Sequence, residues 1–90
     1  LTAVATVRLP AALVALFPGA PRRVEVEGTT VAAVLDALDA RWPGMRDRLC
    51  DGRPALRRHI TIFVDGERAA LDTEVGPQSE VDVIPAISGG

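Results

Sequence analysis

Ninety residues with 48% apolar and 24% charged side chains describe one globular domain with a single core, too short for a second module and too apolar for a disordered chain. The net charge is −2 and all ten basic residues are arginines, scattered along the chain; this argues against a nucleic-acid binder, and no apolar run approaches a membrane span. The single cysteine, Cys50, excludes an internal disulfide and fits a reducing compartment, while Leu1-Thr2-Ala3-Val4 lacks the basic and apolar stretches of a signal peptide, so a cytoplasmic location is expected.

Ala3 to Leu9 alternates, with Ala5, Val7 and Leu9 on one side and Thr6 and Arg8 on the other. That predicts a strand, closed by Pro10. Ala11 to Phe17 is apolar and suits a short helical turn between Pro10 and Pro18-Gly19. Arg23-Val24-Glu25-Val26-Glu27 alternates charge with valine and predicts a second strand, paired with the first across a long connection. Val31, Val34, Leu35, Leu38 and Trp42 then recur at helical spacing after the N-cap hydroxyls of Thr29 and Thr30, and Pro43-Gly44 ends this principal helix. Ala33 stands where a capping box would carry glutamate, so the cap is one-sided.

Met45 to Leu49 reads as one more helical turn, and residues 50–58, with Gly52 and Pro54, as a loop. His59 to Val64 is the strongest strand, and Asp65-Gly66 signals a type I′ hairpin turn. Glu67 to Leu71 returns as a short edge strand, Asp72 to Val75 forms a turn or a short 3₁₀ stretch, and Glu80 to Ile84 is the last strand, ended by Pro85. The expected core gathers Val7, Leu9, Val26, Val34, Leu35, Leu38, Ile60, Ile62, Val81 and Val83.

One amphipathic helix must cover one face of the sheet. The element order therefore predicts an α+β roll in which a mixed sheet of about five strands carries one main helix on one face, the β-grasp arrangement of ubiquitin-like proteins. Residues 1–84 would form this body and residues 85–90 a flexible tail. Alternation places Phe63 opposite Ile60, Ile62 and Val64, and Ile84 opposite Val81 and Val83. Both should lie on the face away from the helix, as candidates for a partner patch. From His59 onward six acids stand against one base, Arg68, so the tail is expected to leave an acidic end.

The tail itself, Pro85-Ala86-Ile87-Ser88-Gly89-Gly90, stops on two glycines. A terminal carboxylate is ionised at neutral pH and must be activated before it can acylate anything. Glycines without a Cβ can thread a narrow channel and take conformations closed to other residues. The pattern suits delivery of a carboxylate into another protein's active site. Cys50, with no activating neighbour evident, reads as a small hydrophobe rather than a persulfide relay, and His59 as a surface strand residue. Asp36 and Asp39, one helical turn apart, read as a solvated face, and no metal site is expected.

The stretches Ala3 to Pro10, Thr30-Val31 through Asp39-Ala40-Arg41-Trp42-Pro43-Gly44, Ile60 to Asp65-Gly66, and Glu80 to Gly90 resemble the MoaD/ThiS family of sulfur carriers over essentially the whole chain. The ending, aliphatic-Pro-Ala-aliphatic-small-Gly-Gly, is the most specific part. Two departures are local: Pro77-Gln78-Ser79 replaces an Asp-Gly-Asp-type turn, and His59 replaces an aromatic. The resemblance implies a non-enzymatic carrier that binds no cofactor. A partner similar to ubiquitin-activating enzymes would use ATP to adenylate Gly90, which then becomes a thiocarboxylate.

Phe63, Ile84, Pro85, Ala86, Ile87, Ser88 and Gly89 would meet that partner. A sulfur donor protein and a downstream sulfur-accepting synthase complete the implied set, with molybdopterin, thiamine thiazole, cysteine or a specialised metabolite as the acceptor. Two other readings stand beside it: a protein modifier joined to target lysines through Gly90, and a β-grasp interaction domain with an inert tail.

Overall fold

Alternation of valine with charge produces the expected pair at the start of the chain: β1 (Val4–Arg8) runs antiparallel to β2 (Arg23–Glu27) with Val7 opposite Val24 and Arg8 opposite Arg23. The structure, a computed structural model, describes residues 4–50 and 60–85. Between these strands lies the short α1 (Ala11–Val14), and after them come α2 (Val31–Arg41), α3 (Met45–Leu49), β3 (Ile60–Val64), β4 (Glu67–Ala69) and β5 (Glu80–Pro85). The five strands form one mixed sheet in the order β2-β1-β5-β3-β4. β5 is central, parallel to β1 and antiparallel to β3. Asp65 and Gly66 both take positive φ, 51° and 86°, as a type I′ turn between β3 and β4 requires. β4 stops at Ala69, two residues short of the strand expected to reach Leu71.

One face of the sheet, with Ala5, Val7, Val24, Val26, Ile62, Val81 and Val83 buried on it, is covered by Val31, Val34, Leu35 and Leu38 of α2. Ile60, expected inside this core, lies at the end of β3 and is only partly buried against it. The turn expected after β4 forms at Leu71-Asp72, closed by the Thr73 amide on the Ala70 carbonyl at 3.1 Å, and Glu74 then bridges to Thr30 at the start of α2. There the Val31 amide donates to the Thr73 carbonyl at 3.0 Å and the Ala32 amide to the Leu71 carbonyl at 2.9 Å. The Ala33 amide donates to Thr30 Oγ1 at 3.1 Å and that of Val34 to the Thr30 carbonyl at 3.0 Å. The first donors of a helix have no partner within it, and here a distant segment and the Thr30 hydroxyl meet those of Val31, Ala32 and Ala33.

Asp39 corrects its sequence reading. It is not a solvated residue but the clamp of the corner between α2 and α3, its Oδ1 accepting from the amides of Gly44 at 3.0 Å and Arg46 at 3.1 Å. Gly44 takes φ +98° there, a left-handed turn that glycine tolerates. The Arg46 guanidinium pairs with the exposed Asp36. Met45, Leu49 and Cys50 close the core under this corner. Cys50, 5% exposed, packs there as a small apolar side chain.

Candidate functional site

β5 carries the chain to the candidate site. Its neighbours hold it on both sides, so the position and direction of Pro85, its last residue, are set by the sheet. Phe63 stands on β3 between Asp82 of β5 and Arg68 of β4, and Ile84 stands opposite Thr61. Both alternate with buried residues and so belong to the face away from α2. Ile84 is 47% exposed, whereas Phe63 is partly buried by its neighbours. Ala86, Ile87, Ser88, Gly89 and Gly90, the remaining candidates, lie outside the described residues, as does His59.

Register across the sheet assembles a row that the linear sequence conceals. Arg23, Arg8, Asp82, Phe63 and Arg68 follow one another from β2 to β4. Arg8 binds Glu80 at 2.7 Å and approaches Asp82 at 3.6 Å. The acidic end expected from residues 59–90 is therefore offset on the sheet by an arginine from the opposite end of the chain. Past this row lies an open cleft of about 320 Å³ between Arg8, Leu9, Pro10 and Arg22 on one side and β5 from Asp82 to Pro85 on the other. Arg22 Nε donates to the Leu9 carbonyl at 3.1 Å, which holds the guanidinium at the cleft.

Leu9, Pro10 and Arg22 escaped the sequence reading as site residues. Pro10 registers in the sequence as the end of a strand and the start of a helical turn, and nothing local to Arg22 signals its place beside β5. A parallel β1–β5 pairing, once assumed, would have brought them together.

Among the described residues no group of three or more His, Cys, Asp or Glu side chains could hold a metal ion, and none of their helices is long and apolar enough to cross a membrane. What the described residues offer is a surface: a half-exposed isoleucine, a partly covered phenylalanine, paired charges and a cleft, all at the point from which residues 86–90 continue. Such an arrangement can dock a protein and aim a chain end at it.

The model of the ThiS family matches residues 7–90. Small archaeal modifier protein 1 of Haloferax volcanii is 36% identical over 69 residues, 76% of this chain and 79% of that protein. Sulfur carrier protein CysO of Mycobacterium tuberculosis is 32% identical over 78 residues, 80% and 84% of the two chains. The fold superposes on a chain in the crystal structure of the Amycolatopsis orientalis BexX/CysO complex with a TM-score of 0.85 and 30% identity, covering 96% of this chain and 99% of that one.

Proposed function

This chain belongs to the ThiS family of ubiquitin-like β-grasp proteins, and from that premise we propose that it is a sulfur carrier whose Gly90 carboxylate is adenylated by a partner enzyme and converted to a thiocarboxylate. The carrying observation is the central β5, which delivers the chain to Pro85 beside an exposed Ile84 on a sheet face otherwise furnished with paired charges. ATP is the partner's substrate. A Gly90 carboxylate oxygen attacks its α-phosphorus, pyrophosphate leaves, and the mixed anhydride that forms has AMP as a good leaving group. A sulfur nucleophile then adds at the acyl carbon and AMP departs. Sulfide yields the thiocarboxylate directly; a persulfide yields an acyl disulfide that a thiol must reduce.

Ile84, Phe63 and Pro85 dock the enzyme, and Ala86 to Gly89 pass through its channel as an extended peptide in a groove. A sulfur donor protein precedes the carrier, and a synthase that accepts sulfur follows it in the cytoplasm. The relative named a modifier favours one second reading, in which the same activated Gly90 ends on a target lysine; isopeptide adducts in cell extracts would support it.

The test combines this chain with an adenylating enzyme that supports ATP–pyrophosphate exchange on it, together with ATP and a sulfur donor. The intact mass should rise by the difference between sulfur and oxygen. Deleting Gly90 should abolish the change, and Gly89→Val should impair it by restricting the backbone and obstructing the channel. Normal activation after loss of Gly89 and Gly90 would refute both the carrier and the modifier readings.

A further inference from the structure

β1 and β5 are parallel with Thr6 opposite Glu80 and Arg8 opposite Asp82, and the Thr6 amide donates to the Ser79 carbonyl at 2.9 Å. Donors in a parallel ladder recur every second residue. The next is Arg8, toward Val81, and the one after stands at position 10, toward Val83. Position 10 is proline, which has no N–H to give. β1 accordingly ends at Arg8, while the Leu9 amide, which faces β2, donates to the Arg22 carbonyl at 2.7 Å and carries the Arg8–Arg23 register one residue further. β5 continues to Pro85 against Ile60 of β3.

On the side of β5 that faces the departing β1, the donor due after Val83 is residue 85, again a proline. This piece of edge therefore presents the Val83 carbonyl and no N–H. It forms one wall of the cleft, whose other wall is Leu9, Pro10 and Arg22. Arg8 is occupied by Glu80 and Asp82. Arg22 has its Nε on the Leu9 carbonyl, and no further partner for it is seen among the described residues. A fitting occupant must bring a backbone N–H and a negative charge, and must lie alongside the strand from which the tail departs.

We propose that this cleft seats an extended segment of the adenylating enzyme, which continues the sheet where β1 leaves it, donates a backbone N–H to the Val83 carbonyl, and sets a carboxylate against the Arg22 guanidinium. Strand addition to an exposed edge supplies affinity through the main chain and specificity through side chains. Here the two prolines restrict the edge to accepting, which disfavours an occupant that needs a donor from it. The inference rests on the carrier reading, because it takes the enzyme that holds residues 86–90 as the protein whose backbone lies beside β5.

The test uses the full chain and an adenylating enzyme that supports ATP–pyrophosphate exchange with it; if no such enzyme does so, the carrier reading itself fails. In the complex with labelled wild-type carrier, the Val83 carbonyl carbon resonance should move as expected for a newly accepted hydrogen bond. Arg22→Glu, checked for an unchanged melting profile, should raise the KM for carrier in the exchange reaction by about tenfold or more, the size of one charged contact, with kcat within about twofold. Arg41→Glu, on the exposed part of α2, should change neither. An unmoved Val83 carbonyl overturns the strand pairing, and an unaltered KM for Arg22→Glu overturns the charge contact. A Val83 shift that follows carrier concentration without enzyme would assign the cleft to a second copy of this chain and equally overturn the proposal.

Discussion

Ile84 and Phe63 share a sheet face but differ in how much they hold the fold together. At 47% exposure, Ile84 leaves about half its side chain in water, so Ile84→Ser should cost only about 1 kcal/mol of stability. Phe63 is partly buried, in register between Asp82 and Arg68, and Phe63→Ser should cost more. Both should raise the KM of the adenylating enzyme for the carrier. A melting curve for each variant, taken beside exchange kinetics, separates the effects; a large loss of stability with an unaltered KM would return Phe63 to a structural role. At this scale alternation alone was enough to find the two residues, because a strand's period of two assigns faces without knowledge of its neighbours. The charges around them were not legible, since Arg8 meets Asp82 across most of the chain's length.

Helix α2 shows the same division within one element. Its span and buried stripe follow from the spacing of Val31, Val34, Leu35 and Leu38, and its cap from Thr30. The acceptors of its first amides, the carbonyls of Thr73 and Leu71, lie where the sequence signals the end of an edge strand and a turn or short 3₁₀ stretch, with nothing that points to the helix. Asp39 was likewise unreadable as a clamp, because helical periodicity places it on an outer face and says nothing of a following helix that folds back over it. Leu35→Ala and Leu38→Ala should each cost about 2 to 5 kcal/mol, since both side chains are fully buried against the sheet. Asp39→Ala should cost about 0.5 to 2 kcal/mol through the two amides it leaves without their acceptor. Urea denaturation of the three variants tests the ranking, and an Asp39 variant as stable as wild type would restore it to a merely solvated position.

Across the whole molecule, the strand order β2-β1-β5-β3-β4 places the last of the described strands at the centre, so β5 joins the two halves of the sheet. Its buried residues, Val81 and Val83, belong to the common core, and Pro85 still pairs with Ile60 of β3. Cutting within β5 should therefore unfold the protein, whereas ending the chain at Pro85 should leave its midpoint in urea nearly unchanged, because no core side chain among the described residues lies beyond Val83. The same truncation removes the carboxylate at Gly90 and the glycines that precede it. It should abolish ATP–pyrophosphate exchange while the folded body still competes, weakly, with the intact carrier for the adenylating enzyme through Ile84 and Phe63. Competition without turnover would locate recognition in the body and chemistry in the tail. A truncated chain that neither unfolds nor competes would place all recognition in residues 86–90 and leave the sheet face without a docking role.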